Sequence, residues 1–419
     1  MMIFTSIYGV VDGLFVSNFV GKTAFAAVNF IMPLLIMLGA VGFMLGTGGS
    51  AIVAKTLGIG DKKLANEYFS TIIYVTACAG AVLSVLGIIF ARPVAALLGA
   101  EGEMLENCVL YARVVLIGLP FFMLQNTFQA FLIAAERPKL GLYITVGAGV
   151  TNMVLDALLV GVLSLGLVGA ALATAISQMV GGLLPLVFFA FPNSSHFRLR
   201  RTKLYPKMLL STCINGSSEL MTNISMSLVN MLYNLQLMKY AGENGVAAYG
   251  AIMYVSFIFI AIFIGFVMGE APIVSYHFGA GNTDELKSVR KKSLRIIVTG
   301  SVVMVAVAIL LARPLATLFV GYDAALADMT THGFVIFSFC YLFAGINIFG
   351  SSFFTALNNG VVSAVISFLR TILFQIGTVL VLPIFFGLDG IWYATVAADV
   401  LACIVTVIFL ISMRKRYNY

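Results

Sequence analysis

Six charged side chains stand well inside the long apolar runs of this 419-residue sequence, away from the few at their margins: Asp12, Asp156, Glu219, Arg370 and Asp399, with Glu270 nearer an inner end. A charge at the centre of a membrane helix costs about 2.5–3.5 kcal/mol on insertion scales, so each calls for a chemical reason. Asn152 precedes Asp156 by four residues and so shares its helix face, one turn away. With the Thr174 hydroxyl, Asp12, Asn152 and Asp156 offer two carboxylates, an amide oxygen and a hydroxyl, the hard oxygen ligands that a sodium ion accepts. Two neighbouring carboxylates also repel, which favours a proton held between them near neutral pH. The set suits either ion, and the structural alternative is a group of buried hydrogen bonds between helices.

The surrounding composition dictates what positions these groups. Of the residues 61% are hydrophobic and 10% charged, whereas a soluble domain carries ~25% charged residues. Lipid must be the solvent. Apolar runs of ~20 residues cross ~30 Å of hydrocarbon as helices. Twelve such runs cover approximately 1–20, 29–53, 68–90, 109–134, 141–163, 167–191, 208–238, 246–275, 293–311, 333–357, 361–386 and 390–412. The sequence predicts an all-α membrane protein. Asp12 lies ~9 residues before the outer end of its span, Asp156 ~8 before the outer end of its own, and Thr174 ~8 past an outer start, which puts all three roughly 12–14 Å below the outer surface.

The formal net charge of +7 is distributed by topology. With both termini cytoplasmic, inner loops hold eighteen of the 24 Lys and Arg residues, including the Arg198–Lys207 and Lys287–Arg295 clusters, and outer loops hold five. That asymmetry follows the positive-inside rule for a multi-pass protein of the cytoplasmic (inner) membrane. The clusters read as topology determinants, with no nucleic-acid partner. Five cysteines show no paired spacing and three histidines are scattered, so neither a disulfide framework nor a zinc site is expected.

Sliding the chain against itself reveals a repeat at an offset of 221 residues. Gly58 and Gly60 fall on Gly279 and Gly281, Ala91-Arg92-Pro93 on Ala312-Arg313-Pro314, and Gly166-Leu167, Gly169 and Ala173-Thr174 on Gly387-Leu388, Gly390 and Ala394-Thr395. Each half has six spans, so the copies are parallel: an amino-terminal lobe 1–191, a cytoplasmic linker 192–207 and a carboxy-terminal lobe 208–419. A mid-membrane cavity between the lobes is expected, as at other transporter repeat interfaces. Met1 aligns with Thr222, ~15 residues into the corresponding helix, so the first helix reads as clipped, with its true start upstream.

The repeat also acts as a control on the polar set. Asp12 maps to Tyr233, Asn152 to Leu373 and Asp156 to Gly377, and only Thr174 keeps its counterpart, Thr395. Scaffold would recur in both halves, so a constellation confined to one half reads as functional.

Val11-Asp12-Gly13-Leu14-Phe15-Val16, Asn152-Met153-Val154-Leu155-Asp156, Gly166-Leu167-Val168-Gly169-Ala170-Ala171 and Phe278-Gly279-Ala280-Gly281-Asn282 together resemble the multidrug and toxic compound extrusion (MATE) family, in particular its MepA-like bacterial branch. Their order and spacing carry the resemblance, which spans essentially the whole chain. It implies two six-helix lobes and export of cationic or amphipathic drugs in antiport with H+ or Na+. A monomer with no cofactor beyond the coupling ion is expected. The resemblance also implies that Asp12, Asn152, Asp156 and Thr174 form the cation-coupling site. Many relatives have proline where this chain has Ala157, which puts the local helix bend in doubt. Glu219 resembles an acidic residue that many relatives carry, implying a substrate-binding or second-ion role beside the simpler one of a buried hydrogen bond.

Other readings have less support in the residues. A lipid-linked oligosaccharide flippase would need more intramembrane cations than Arg370, and an integral membrane enzyme would need a nucleophile with a base or a ligand cluster. There is no Gly-x-x-x-x-Gly-Lys-[Ser/Thr] loop for ATP. Arg370 falls in the inner half of its span and Asp399 in the outer half of the next, so direct pairing is not expected and each reads as structural. The 34 Phe, 19 Met and 16 Tyr residues suit an adaptable cavity, although most serve packing.

Overall fold

The computed structural model describes residues 20, 22–97, 100–321, 323–417 and 419. Asp12 and nearly all of the predicted span 1–20 lie outside the described residues. The chain divides into two compact units, Met1–Gly216 and Ser217–Tyr419.

In the first unit α1 (Lys22–Gly58), α2 (Lys62–Leu97), α3 (Gly102–Ala134), α4 (Pro138–Leu155) and α5 (Gly166–Ala190) follow one another through short turns. Helix α3 packs against all four of the others. One core gathers around Tyr111, Leu116 and Met123. A second is aromatic, with Phe69 stacked on Phe197 and set edge-on against Phe131 and Phe189. Without an apolar driving force between helices in lipid, such close packing is what holds the bundle.

The second unit takes in most of α6 (Pro206–Gly279), followed by α7 (Thr283–Val320), α8 (Ala324–Ser338), α9 (Tyr341–Ala356), α10 (Gly360–Phe368), α11 (Gln375–Phe386) and α12 (Leu388–Ser412). Gly242, at φ 61 and ψ −151, breaks α6 between two predicted spans. Helices α8 and α9 meet at a 47° bend within the predicted span 333–357. There Phe339, Cys340, Leu342 and Phe343 bond three residues back, tightening the chain into a 3₁₀ turn.

Among the described residues nine helices are long and apolar enough to cross a membrane, or ten when α8 and α9 count as one span. The segment 206–241 is too polar for that measure because it carries Asn215, Ser217, Ser218, Glu219, Thr222 and Asn223 along its length.

The repeat recurs in backbone geometry. Gly60 and Gly281 both adopt positive φ, 97° and 69°, and the next residues, Asp61 and Asn282, each cap the following helix by accepting from the backbone N–H of Leu64 at 2.9 Å and Glu285 at 3.3 Å. Gly166 and Gly387 likewise share φ of 56° and 58° where the fifth span of each half turns into the sixth.

Candidate functional site

Helix α4 does not run uniformly through Ala157. It widens into a π-helical segment, Asp156–Val162, that begins at the carboxylate, so the chain departs from regular helix without a proline. Such insertions shift side chains around the axis and are frequent at functional sites. Asp156 is wholly buried and Asn152, one turn before it, is 2% exposed.

Thr174 lies on α5, which packs against α4 and the π-helical segment. Among the described residues, the side-chain oxygens of Asn152 and Thr174 are buried with no hydrogen-bond partner. Gln178, one turn beyond Thr174, has a similarly orphaned side-chain oxygen. Burying a polar group without a partner costs roughly 1–3 kcal/mol, so three such oxygens in one unit need an explanation. Gln178 was not singled out from sequence, although its four-residue spacing from Thr174 was legible. Among the described residues no three His, Cys, Asp or Glu side chains cluster as a metal site. Neutral oxygens on two packed helices, one of which carries a buried carboxylate, are the donor types that a weakly held monovalent cation accepts.

Asp12 lies outside the described residues, but its repeat counterpart does not. In the second unit the Tyr233 hydroxyl lies 2.8 Å from the Thr395 hydroxyl, and it donates to Gln375 Oε1 at 3.1 Å. Tyr233 and Thr395 are the counterparts of Asp12 and Thr174.

Glu219 stands half-buried on the polar first arm of α6. Its backbone carbonyl accepts from Asn223 Nδ2 at 2.8 Å, and Thr222 Oγ1 donates to the Ser218 carbonyl at 2.8 Å. These local bonds satisfy the neighbouring polar groups within the helix. The Glu219 carboxylate makes no ion pair among the described residues.

Arg370 and Asp399 do pair, contrary to the expectation from depth. Arg370 Nε donates to Asp399 Oδ1 at 2.7 Å. The predicted depths differ by only about four residues, ~6 Å along the axis, which an arginine stem spans. Arg370 also sits in a second π-helical segment, Leu369–Phe374, which packs against α12. Asn347 Nδ2 donates to the Asp399 carbonyl at 2.9 Å and to its Oδ1 at 3.2 Å, while Thr406 Oγ1 donates to Asn347 Oδ1 at 3.2 Å. Ser351, Ser363, Ser367 and Thr355 extend the polar core beside it through hydroxyl contacts of 2.7–2.9 Å. Glu270 lies on the second arm of α6, 8% exposed.

Two repeated bundles of apolar helices, each with buried polar groups in its interior, define a multi-pass α-helical membrane protein of twelve spans in two lobes. The chain belongs to the MatE family, whose model matches residues 1–158 and again 220–381. Multidrug export protein MepA of Staphylococcus haemolyticus is 24% identical over 420 residues, 98% of this chain and 90% of the relative. MepA of Staphylococcus saprophyticus is 25% identical over 421 residues, with the same coverage. A crystal structure of MATE in complex with MaL6 superposes with a TM-score of 0.94 at 22% identity, covering 100% of this chain and 95% of the other. The outward-facing conformation of a multidrug resistance MATE family transporter gives 0.93 at 23% identity, covering 100% and 94%. These superpositions establish the fold.

Proposed function

We propose that this chain is a secondary active efflux transporter that exports cationic or amphipathic drugs in antiport with H+ or Na+. Asp12, Asn152, Asp156 and Thr174 couple the ion, and Glu219 serves the second lobe as a substrate or second-ion site. The lobes are 1–191 and 208–419, joined by a cytoplasmic linker at 192–207, with both termini on the cytoplasmic side of the inner membrane. Each copy acts as a monomer, and the energy comes from the ion gradient, at ~2.3 kcal/mol per charge moved through 100 mV.

The observation that carries the coupling site is the pair of orphaned oxygens on Asn152, one turn before the wholly buried Asp156, and on Thr174 of the helix packed against that segment. A cation bound there would supply the partner each oxygen lacks. The contact between Tyr233 and Thr395 supports bringing Asp12 into the same set, since the corresponding positions of the other half touch. The family match and the MepA relatives support multidrug export as the task.

Drug uptake into everted vesicles tests the reading. Uptake is expected to follow an imposed ion gradient and to be lost in Asp12→Asn and in Asp156→Asn. Full activity in both variants would remove the assigned site, and separate proton and sodium gradients identify the ion.

A further inference from the structure

We infer that the first unit carries a built binding site for one anionic phospholipid, with its headgroup on Lys203 and Arg200 and an acyl chain lying along α2. The segment 193–205 is strapped to that helix by hydrogen bonds. Asn66 Nδ2 donates to the His196 carbonyl at 2.9 Å and Asn66 Oδ1 accepts from Arg198 N–H at 2.8 Å. Ser70 Oγ accepts from Arg200 N–H at 3.0 Å, and the Tyr74 hydroxyl donates to the Arg200 carbonyl at 3.3 Å. Thr71 Oγ1 donates to the Lys203 carbonyl at 3.1 Å. Residues 66, 70, 71 and 74 form one helix face, so the strap lies in a fixed register and Lys203 is held at its edge.

The same helix face changes character beyond Tyr74. Val75, Cys78, Ala79, Val82 and Leu83 line a groove of about 680 Å³ whose mouth is closed by Thr202, Lys203 and Leu204 of the strap. From residue 71 to residue 83 the helix rises ~18 Å, close to the ~15 Å that one leaflet contributes to a ~30 Å hydrocarbon core. The groove has the length and apolarity of one acyl chain.

Charge at the mouth selects the class of lipid. Arg198, Arg200, Arg201, Lys203 and Lys207 lie between residues 192 and 207 with no Asp or Glu among them. Among the described residues none of the five is in an ion pair. Glu67, an acid on the strap-binding face of α2, is occupied instead by the Tyr205 hydroxyl. A groove for a chain that ends in an uncompensated basic cluster is complementary to a phosphate monoanion with an attached acyl tail, and basic pockets at the cytoplasmic ends of membrane helices bind such headgroups. Placing this mouth on the cytoplasmic side rests on the orientation proposed above. The binding chemistry itself does not.

Native mass spectrometry of the full chain in detergent, titrated with phosphatidylglycerol or with phosphatidylcholine of identical acyl chains, reads the site without reference to orientation or transport. The wild type is expected to retain one phosphatidylglycerol in preference to phosphatidylcholine. Lys203→Gln and Arg200→Gln are each expected to weaken that preference about fivefold, the factor for one basic group near an anionic headgroup. Val82→Trp, which fills the groove, is expected to remove retention of both lipids. Arg414→Gln, a basic position in the other unit, is expected to change nothing. Equal retention of the two lipids by the wild type, an undiminished preference in Lys203→Gln and Arg200→Gln, or an equal loss in Arg414→Gln would each overturn the assignment.

Discussion

Arg370 and Asp399, 29 residues apart in sequence, form an ion pair inside the second unit, with side chains 17% and 2% exposed and Nε 2.7 Å from Oδ1. Two buried charges attract strongly but also give up their hydration, so the pair's net worth is small while the loss of one member is severe. Asn347 and Thr406 extend the network and fix the Asp399 rotamer.

Removing one partner should therefore cost more than removing both. Asp399→Asn is expected to lose on the order of 3–5 kcal/mol of stability by leaving Arg370 uncompensated. Arg370→Leu combined with Asp399→Leu is expected to recover most of the loss. Thermal melting of the purified variants checks this, and a double variant as unstable as the single one would show that the network contributes more than charge compensation.

The coupling site makes its own demand on neutral ligands. Asn152→Leu and Thr174→Val keep approximate volume but delete an oxygen that would contact the ion. A contact to a charged group is worth ~1.5 kcal/mol or more, so each change is expected to raise the ion concentration for half-maximal transport about tenfold. Thr395→Val is the control, because that hydroxyl is already bonded to Tyr233. Its ion dependence should match the wild type when measured in the same vesicles.

How much of this was legible in the sequence follows from which forces act at each place. Twelve spans and the repeat were readable because lipid imposes length and apolarity, and because Gly60, Gly281, Gly166 and Gly387 mark turns whose positive φ few other residues adopt. The polar candidates were readable because a charge in hydrocarbon is rare. Partners across helices were not. The pairing of Arg370 with Asp399 depends on side-chain reach and on a π-helical turn, neither of which has a sequence signal at the level of apolar periodicity. Asn347 and Gln178 were missed because uncharged amides do not stand out by composition. The four-residue spacing of Ser351 with Thr355 and of Ser363 with Ser367 was visible, but only packing shows that the two pairs face each other.

Backbone demands at the repeated turn give a separate stability test. Gly166→Ala and Gly387→Ala each place a Cβ on a positive-φ residue, and Gly387, with ψ −133, lies outside the left-handed helical basin as well, so each change is expected to cost roughly 1–3 kcal/mol. Gly147→Ala is the contrast, since that glycine is helical and a Cβ there meets nothing within 4 Å. It should be neutral or slightly stabilising. Melting temperatures that fall equally in all three variants would remove the conformational explanation.

The strap on α2 should be released by alkali. The Tyr205 hydroxyl donates to the Glu67 carboxylate, and that bond, followed by partial desolvation, raises its pKa above the ordinary tyrosine value of 10. A group whose folded value is raised contributes stability that is fully present below the unfolded value and lost as pH climbs through the folded one. Strap anchoring should thus be constant from neutral pH to about 10 and weaken above it, when the phenolate and Glu67 repel. A nitroxide on Leu204→Cys, in a chain whose other exposed cysteines are replaced, reports the change as increased mobility. Tyr205→Phe should show raised mobility already at neutral pH and no further alkaline step. An alkaline step of unchanged size in Tyr205→Phe would assign it to another group and leave the hydrogen bond to Glu67 without a role in holding the strap.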